Sequence, residues 1–323
     1  MKAIVQHEYG NANVLLYSDV EMPTIGEGEC LIQVAYASVN YADIKARNGD
    51  KGKGNFPLIL GLDMAGTIVE AGTDSRFSVG DRVIAFPKEG SYAQYVVANE
   101  QLIFKIPDSL SFERAAAIPT VSILSYLLLH EIGQIRKTDT IVIHSAAGGV
   151  GSMLIQLSKL FGVQRVIGTV GNLEKADYVK GLGADIVCTY ETFVEQVFIH
   201  TNDKGANIIF DSVAGEVTGK SLQCLALFGT LVQFGNSSGK VGTIKTSDVH
   251  SSCRNIKGFS LGTTRKHDPA RIKPIAEKVI QLFDANQVSL PIAKVFELSE
   301  AAAAHQLIES RSYKGKVLLK VEE

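Results

Sequence analysis

The chain has 323 residues, of which 46% are hydrophobic and 20% are charged, a composition that is typical of globular proteins and excludes disordered and collagen-like classes. The 32 lysines and arginines nearly balance the 34 aspartates and glutamates, and the net charge of −2 argues against a nucleic-acid partner or an anionic membrane surface. The four cysteines are scattered, without C-x-x-C pairs or zinc-ligand spacing, which disfavours a disulfide framework and a cysteine-built metal site.

The start of the chain, MKAIVQH at residues 1–7, is typical of a strand and lacks the apolar core of a secretory signal. The apolar stretch at 121–129 contains two serines and a tyrosine and ends before His130, well short of the roughly 18 apolar residues that a membrane span needs. We therefore expect a cytoplasmic protein with no membrane segment.

Glycine and proline punctuate the first part of the chain, up to about residue 117, and short β-rich runs lie between these turn signals. This pattern predicts a mostly antiparallel β domain, with strands that include 30–36, 65–69, 82–86 and 92–97.

From residue 140 onward, predicted strands and helices alternate. The strands are 140–144, 165–169, 186–188, 207–210 and 230–234, and the helices are 150–161, 173–181, 192–199 and 217–225. Alternating elements of this length imply parallel strands joined by right-handed crossovers, and therefore an α/β fold with a doubly wound parallel sheet.

The last part of the chain adds a strand at 256–261, an amphipathic helix after Asp268, a strand at 292–296, a helix at 300–309 and a strand at 316–321. This tail is too short for a core of its own, so we expect it to return to the first domain. The predicted organisation is a Rossmann domain at 121–257 inserted into a β domain formed by residues 1–120 and 258–323.

The segment 145–151 reads SAAGGVG and lies between a predicted strand and a predicted helix, which is the dinucleotide-binding arrangement with Ala146 in place of the first glycine. Gly148 would let the backbone approach a pyrophosphate, and Gly151 would let the helix pack closely against the strand. The amides of the helix N-terminus would hold the phosphate charge. A tight turn without a ligand is the alternative interpretation, but the strand and helix on either side favour the dinucleotide.

The choice of dinucleotide depends on the end of the second strand, where an acidic residue would bind the ribose 2′-hydroxyl of NADH. The segment 168–175 reads GTVGNLEK and carries no acid at the strand end, whereas Lys175 could neutralise the 2′-phosphate of NADPH. Tyr190, after the third strand, could cap the same phosphate. The alternatives are a solvated helix face for Lys175 and an ordinary half-exposed tyrosine for Tyr190.

Further motifs extend this pattern over nearly the whole chain. They are VNYAD (39–43), FPLILGLDMAG (56–66), VGDRV (79–83), HSAAGGVG (144–151), GTVG (168–171), DSV (211–213) and FGNSSG (234–239). Together they resemble the quinone oxidoreductase, or zeta-crystallin-like, branch of the medium-chain dehydrogenase/reductase superfamily. The resemblance implies a GroES-like β domain, built from both ends of the chain, into which the Rossmann domain is inserted.

The resemblance also bears on metal binding. Zinc-dependent members of the superfamily carry a cysteine where this chain has Asn40, and Gly-His-Glu where residues 61–63 read GLD. Asparagine and leucine cannot supply the thiolate and imidazole that a catalytic zinc requires. We therefore expect no metal site and a zinc-independent reductase.

The resemblance implies cofactor-binding residues for the pyrophosphate, the adenosine end and the nicotinamide. They are Ala147, Gly148, Gly149 and Val150, then Gly171, Lys175 and Tyr190, and finally Asn40, Phe234, Asn236 and Arg311. Asn40 and Tyr41 are also the candidate catalytic residues, which would polarise the carbonyl of the acceptor. Asn40 has an alternative interpretation as a helix N-cap, and Tyr41 as an aromatic residue at the edge of the core.

The activity implied is hydride transfer from NADPH to a quinone without zinc, because a delocalised acceptor stabilises the added negative charge itself. Two alternatives stay open: a reductase of enones, alkenals or enoyl thioesters, and a non-catalytic NADPH-binding protein with a structural or nucleic-acid-binding role. The resemblance further implies a homodimer through the strand at 256–261, whose outer edge would otherwise expose unpaired backbone groups.

Overall fold

A computed structural model of the chain describes residues 1–50, 52 and 54–321, so the last two residues of the predicted segment 258–323 lie outside the described part. The chain divides into two compact units. Unit 1 consists of Met1–Ile123 and Thr264–Glu323, and unit 2 consists of Leu124–Thr263.

The described residues form sixteen strands. They are β1 (Lys2–Gln6), β2 (Leu16–Asp19), β3 (Glu29–Val39), β4 (Leu58–Ile59), β5 (Met64–Ala71), β6 (Arg82–Ala85), β7 (Tyr95–Asn99), β8 (Ile103–Lys105), β9 (Thr140–Ile143), β10 (Arg165–Val170), β11 (Ile186–Thr189), β12 (Ala206–Asp211), β13 (Leu225–Gln233), β14 (Asn255–Gly258), β15 (Ile292–Glu297) and β16 (Lys316–Lys320).

Eleven α-helices accompany these strands in the same part of the chain. They are α1 (Tyr41–Arg47), α2 (Phe112–Ala116), α3 (Leu124–Leu127), α4 (Gly149–Leu160), α5 (Ala176–Gly181), α6 (Phe193–Thr201), α7 (Glu216–Gln223), α8 (Ser247–His250), α9 (Leu261–His267), α10 (Lys273–Asp284) and α11 (Ala301–Ser310). π-Helical turns occupy Pro119–Ile123 and Leu128–Gly133, and short 3₁₀ turns lie at Ala12–Val14, Glu100–Leu102, Leu173–Lys175, Pro269–Arg271 and Leu298–Glu300.

Unit 1 is built on a three-stranded sheet, in the order β2-β1-β4, and a seven-stranded sheet, in the order β15-β16-β3-β5-β6-β8 with β7 also paired to β3. The pairings are antiparallel except for that of β15 with β16. Strand β16, from the end of the chain, pairs with β3 so that Val317 lies opposite Val39. Both ends of the chain therefore share one sheet, and the predicted mostly antiparallel β fold is confirmed.

Unit 2 contains a six-stranded sheet in the order β11-β10-β9-β12-β13-β14, with every neighbouring pair parallel. Counted from its first strand, this order is 3-2-1-4-5-6, and it reverses between β9 and β12. Doubly wound sheets bind ligands at the carboxyl ends of the strands beside such a reversal. The predicted doubly wound parallel sheet is confirmed.

The described residues contain no helix that is long and apolar enough to cross a membrane.

The strand predicted at 256–261 is shorter than expected. Strand β14 ends at Gly258, and Leu261 is the first residue of helix α9. The physical reason is Ser260, whose hydroxyl accepts a hydrogen bond from the backbone N–H of Thr263 at 3.2 Å, as a helix-capping serine does.

The neighbouring strand was also misplaced by the sequence pattern. Strand β13 begins at Leu225, whereas the sequence predicted residues 217–225 as helix and the strand only from 230. Leu227 and Phe228 are 66% and 73% exposed, and Phe228 has a left-handed φ of +61°. The pairing of β13 with β12 shifts in register at this end, so the alternation that reveals a strand is lost there.

Candidate functional sites in the two units

The glycine-rich loop of unit 2 connects β9 to α4. Ser145 adopts a left-handed φ of +54°, and its carbonyl accepts the N–H of Gly148 at 2.9 Å. A Cβ atom on Gly151 would lie 2.3 Å from the Ser145 carbonyl oxygen and 2.7 Å from Cα of Ala146. Both neighbours are backbone atoms that cannot give way, so this close approach of helix and loop requires glycine.

Helix α4 starts at Gly149 with Gly148 as its N-cap, next to the reversal of the strand order. The first backbone N–H groups of a helix have no partner within that helix, and they carry the positive end of its dipole. Ala147 and Val150 flank these glycines. The loop thus offers a pyrophosphate a bare backbone and unpaired amides at the place where sheets of this kind bind nucleotides.

Tyr190 is tied to this loop. Its hydroxyl accepts the backbone N–H of Ser145 at 3.0 Å and lies 3.3 Å from the Ser145 hydroxyl. The tyrosine therefore positions the left-handed turn that opens the loop, which sequence reasoning did not anticipate.

The predicted adenosine end follows β10. A Cβ atom on Gly171 would meet nothing within 4 Å, so the chain is open there. The side chain of Asn172 accepts the N–H of Glu174 at 2.9 Å and starts the turn Leu173–Lys175. A capping asparagine therefore stands near the strand end where an acid would select NADH, and the half-buried Lys175 follows one short turn later.

The segment 234–238 lies at the carboxyl ends of β13 and β12. Phe234 donates its N–H to the carbonyl of Asp211 at 3.0 Å, and Ser237 donates its N–H to that of Ser212 at 2.9 Å. A Cβ on Gly235 would be 3.0 Å from the Ser212 carbonyl oxygen. These bonds place Phe234 and Asn236 at the same edge of the sheet as the glycine-rich loop. The bare backbone, the helix N-terminus and the absent acid fit a phosphorylated dinucleotide.

His144, at the end of the first strand of unit 2, is fully buried between two hydroxyls. The Ser221 hydroxyl donates to the carbonyl of Val217 at 2.7 Å, so Nε2 of His144 must donate to Ser221, and Nδ1 accepts from Thr169, both at 2.8 Å. Burial lowers the pKa of His144 to about 4. The imidazole is therefore a neutral hydrogen-bonding group of the unit 2 core.

In unit 1, Asn40 is the N-cap residue of α1, but its side chain is engaged elsewhere. The amide Nδ2 donates to the carboxylate of Asp63 at 2.7 Å and to the carbonyl of Ser38 at 3.3 Å. The amide Oδ1 accepts from the ammonium of Lys316 at 2.8 Å. Both N–H groups of the Asn40 amide and one of the two lone pairs of its Oδ1 are thus used, and the residue is only 6% exposed.

Lys316 and Asp63 complete this cluster of buried charges. Lys316 also donates to the carbonyl of Val39 at 3.2 Å, and Asp63 accepts the backbone N–H of Thr120 at 2.8 Å. Burial lowers the pKa of the Lys316 ammonium, and the nearby carboxylates of Asp63 and Asp43 oppose that shift. Within the part of the chain that the structure describes, no three histidine, cysteine or acidic side chains are arranged to hold a metal ion.

A chain of hydrogen bonds leads from Asn40 to the surface. Asp43 accepts from the backbone N–H of Asn40 at 2.8 Å and from the hydroxyl of Tyr92 at 3.1 Å. His305 lies between Tyr92, 3.2 Å from its Nε2, and Arg47, 3.3 Å from its Nδ1. Because arginine can only donate, Nδ1 accepts, and Nε2 carries the proton donated to Tyr92.

The other end of this chain is an ion pair. Arg47 is 1% exposed and contacts the partly exposed carboxylate of Glu309 at 2.5 Å. Burial, together with the charge of Arg47, lowers the pKa of His305 to about 3. Burial also raises the pKa of Tyr92 well above its usual value. Each hydrogen bond in this series from Asp43 to Arg47 therefore has one fixed direction.

Tyr41 and Arg311, which were predicted separately, lie together in unit 1. Arg311 donates to the Tyr41 hydroxyl at 3.4 Å, and its guanidinium is 5.8 Å from the centre of the Tyr41 ring. Arg311 has a left-handed φ of +55° at the end of α11. The structure thus brings Asn40, Tyr41 and Arg311 to one end of helix α1.

A further cation of unit 1 lies close to Asp63. Arg265 of α9 donates to the carbonyl of Leu62 at 3.2 Å and stacks on Phe86, with 4.5 Å between its Cζ and the ring centre. Sequence reasoning missed Lys316, Arg265 and His305. Lys316 stands at the start of an apolar strand, and a charge at such a position is the only signal that the sequence offers.

Comparison with known proteins agrees with both units. Residues 26–108 match the family described as the alcohol dehydrogenase GroES-like domain, and residues 149–281 match zinc-binding dehydrogenase. A probable quinone oxidoreductase of Schizosaccharomyces pombe is 33% identical over 317 residues, covering 97% of this chain and 95% of the relative. A quinone oxidoreductase of Pseudomonas aeruginosa is 33% identical over 321 residues, covering 96% and 97%.

A solved structure is similar over its full length. The Escherichia coli quinone oxidoreductase, crystallised in complex with NADPH, superposes with a TM-score of 0.93 at 27% identity, covering 99% of this chain and 100% of that one.

The glycine-rich loop generates a first prediction. We expect Gly151→Ala to lower the free energy of unfolding by about 1–3 kcal/mol, because the added methyl group meets backbone on two sides. We also expect it to weaken dinucleotide binding, since the loop must shift. Urea unfolding and fluorescence titration with NADPH measure the two effects. The matched control is Gly219→Ala in α7, where a Cβ meets nothing within 4 Å and stability should rise slightly.

The buried His305 generates a prediction about pH. Its pKa of about 3 in the folded protein lies below the ordinary histidine value of 6.5, so between these pH values only the unfolded chain binds the proton, and stability falls as pH falls. From pH 7.5 to pH 5, this one group removes about 2 kcal/mol of stability.

His305→Gln should therefore flatten the dependence of unfolding free energy on pH by about 2 kcal/mol over that interval, whatever its effect at pH 7.5. Urea unfolding at the two pH values measures the difference. His250→Gln, a change at an exposed histidine, should leave the dependence as it is. An unchanged slope in His305→Gln would show that His305 does not stay neutral in the folded protein.

Proposed function

The chain belongs to the quinone oxidoreductase branch of the medium-chain dehydrogenase/reductase superfamily, and from this we propose that it is a zinc-independent, NADPH-dependent quinone reductase. When bound, NADPH supplies the hydride. The observation that carries the proposal is the glycine-rich loop, in which Gly151 approaches backbone at 2.3 Å beside the reversal of a 3-2-1-4-5-6 sheet. The similarity to quinone oxidoreductases, which covers 96–97% of this chain at 33% identity, supports the choice of acceptor.

In this proposal, unit 2 binds most of the cofactor. The amides of Gly149 and Val150 hold the pyrophosphate, and Gly148, whose own N–H bonds to the Ser145 carbonyl, lets it approach the backbone beside Ala147. Gly171, Lys175 and Tyr190 contact the adenosine end, and Phe234 and Asn236 lie beside the nicotinamide. The bonds from segment 234–238 to residues 211–213, which bring that segment to the same sheet edge as the glycine-rich loop, support this arrangement.

In unit 1, the proposed functional residues are Asn40, Tyr41 and Arg311. Tyr41 and Arg311 are in contact, and Asn40 begins the same helix, so the three form one group. The amide of Asn40 is held in a fixed orientation between Lys316 and Asp63, and because both of its N–H groups are used, it could contact a ligand only as a hydrogen-bond acceptor.

Zinc independence rests on the chemistry of the side chains. The amide of Asn40 and the hydrocarbon side chain of Leu62 occupy two positions at which zinc-dependent relatives carry ligands, and neither binds zinc as a thiolate or imidazole does. We also propose a cytoplasmic location, because all four cysteines are free and a reducing compartment keeps them so.

Oxidation of NADPH by a panel of ortho- and para-quinones, enones, enals and enoyl thioesters tests the function. We expect quinones to be reduced fastest, and the activity to survive exhaustive dialysis against EDTA. Stoichiometric zinc whose removal abolishes activity would refute zinc independence. A faster reaction with enones or enoyl thioesters would assign the protein to that substrate class instead. NADPH binding without turnover of any acceptor would indicate a non-catalytic role.

Cofactor selectivity gives a separate prediction. Because Lys175 follows a strand end that carries no acid, we expect NADPH to bind at least tenfold more tightly than NADH, a difference of about 1.4 kcal/mol. Lys175→Ala should reduce this ratio. Lys180→Ala, which removes an exposed lysine from the helix that follows Lys175, is the matched control and should keep it. Fluorescence titration of each protein with both cofactors measures the ratio, and equal affinities in the unsubstituted protein would contradict the prediction.

We further propose a homodimer formed through β14. This strand is the last of its sheet and pairs only with β13 among the described residues, so its other side presents unpaired backbone groups. The exposed Leu227 and Phe228 of β13 add apolar surface near that edge. Pairing of β14 with its own copy across a two-fold axis would satisfy the free groups.

Light scattering tests the dimer, with twice the chain mass of 34.8 kDa expected at micromolar concentration. Phe259 donates its N–H to Gln233 within the chain, and since successive residues alternate, the N–H of Gly258 points to the open edge. Gly258→Pro should therefore shift the protein toward the monomer, whereas Gly258→Ala, which keeps the N–H, should not. A monomeric unsubstituted protein would refute the proposal.

A further inference from the structure

Arg265 is a half-buried cation that forms no ion pair among the described residues. Its Nε atom is out of contact with solvent and has no hydrogen-bond partner among the described residues. Its other recorded contacts are one bond from Nη1 to the Leu62 carbonyl and the stacking of the guanidinium on Phe86, which is itself 1% exposed. Across the described ranges, no carboxylate forms an ion pair with it.

Such an arrangement is costly for a protein. A donor that is shielded from water and has no acceptor lowers the stability of the folded protein. Burial lowers the pKa of the Arg265 guanidinium, and the more distant charges of Asp63 and Asp43 only partly oppose this. The unpartnered N–H groups of Arg265 can therefore donate to an oxygen that carries, or acquires, negative charge.

The surroundings of Arg265 contain further unsatisfied polar atoms. The hydroxyls of Ser38, Ser91 and Thr120 are buried and have no hydrogen-bond partner among the described residues. The backbone N–H of Ser38 bonds to the Asp63 carbonyl, and that of Ser91 bonds to the Gly61 carbonyl. The backbone N–H of Thr120 bonds to the Asp63 carboxylate. With Arg265 on Leu62, four such atoms surround the segment 61–63. This second observation supports the proposal of a polar ligand beside that segment.

The other polar groups near this segment are already committed. The amide of Asn40 is shared between Lys316 and Asp63, and the Lys316 ammonium donates to Asn40 and to the Val39 carbonyl. Asp63 can only accept while it is ionised. The Lys316 ammonium keeps one of its three N–H groups, whereas the Arg265 guanidinium keeps four of its five without a partner among the described residues.

We propose that Arg265 binds the carbonyl oxygen of the hydride acceptor and stabilises the negative charge that this oxygen gains during reduction. The proposal rests on the proposed reductase function and adds to it a residue that touches the substrate. Stacking on Phe86 and the bond to Leu62 hold the plane of the guanidinium, so its remaining N–H groups have a fixed direction. Donors that are already oriented stabilise an oxyanion better than water molecules that must reorient.

The electron balance of the step is simple. A quinone receives one hydride, which is two electrons and one proton, and NADPH becomes NADP⁺. One quinone oxygen then carries a negative charge, and a proton from water completes the hydroquinone. Arg265 donates hydrogen bonds to that oxygen throughout and keeps its own protons, as arginine does in proteins.

The experiment compares Arg265→Gln and Arg265→Lys with Lys266→Gln, which removes an exposed cation from the same helix. We expect Arg265→Gln to lower kcat for para-benzoquinone about 100-fold, the usual effect of removing one oxyanion donor. Arg265→Lys should recover part of the activity, and Lys266→Gln should have none of this effect. The dissociation constant for NADPH should change less than twofold in all three.

A second readout does not depend on turnover. 4-Nitrophenol resembles a reduced quinone, and its anion absorbs visible light, so its pKa can be titrated while it is bound to the protein with NADP⁺. We expect binding to lower that pKa by at least about one unit in the unsubstituted protein, and Arg265→Gln to abolish the shift while Lys266→Gln preserves it.

Three results would overturn the inference: a kcat in folded Arg265→Gln within twofold of the unsubstituted value, a pKa shift of 4-nitrophenol that survives this substitution, or a loss of NADPH affinity above tenfold, which would assign the guanidinium to the cofactor. Failure of the unsubstituted protein to reduce any quinone would refute the proposed function alone. An Arg265-dependent pKa shift would still establish the anion site in that case.

Discussion

The compensation of buried charge is the constraint on which the organisation of unit 1 depends. Asp43, Asp63 and Lys316 are each at most 4% exposed, and all three bond to Asn40, Asp63 and Lys316 to its side-chain amide and Asp43 to its backbone N–H. Breaking such a group by removal of one member costs about 3–5 kcal/mol, because an unpaired charge is left behind. The start of helix α1, the last strand β16 and the π-helical turn after residue 118 all contribute a bond to this cluster, so each of them is held in place by the need to satisfy it.

The organisation of unit 2 depends on the conformation of its glycine-rich loop and not on buried charges. Its loop after β9 needs an exposed, bare backbone, and it obtains this from glycine at position 151 and from a left-handed Ser145 that Tyr190 holds by a hydrogen bond. His144, directly before the loop, is kept neutral by burial and joins the first strand to its neighbours through two hydroxyls. No charged side chain is needed to shape the loop, which leaves the charge of a bound phosphate to the helix N-terminus.

The sequence revealed the parts of this structure that depend on local patterns. Strands and helices of unit 2 follow from hydrophobic periodicity, and the loop at 145–151 follows from glycine spacing between a strand and a helix. The end of β14 was wrong because Ser260 caps the following helix, and the start of β13 was missed because Leu227 and Phe228 face solvent. Lys316 bonds to Asn40 across 276 positions of the chain, and no local pattern reports a contact of that range.

The protonation states of unit 1 also bear on which acceptors suit the protein. Burial raises the pKa of Tyr92, and His305 stays neutral because its pKa is about 3, so neither readily gives up a proton near neutral pH. Lys316 and Arg265 contribute positive charge near Asp63, and Asn40 is fixed between its two charged partners. In the proposed function, Tyr92 and His305 would therefore not supply the proton, which suits acceptors that delocalise the added electron pair and take their proton from water. Quinones and other conjugated carbonyls have this property, whereas an isolated ketone needs an acid or a metal ion at its oxygen.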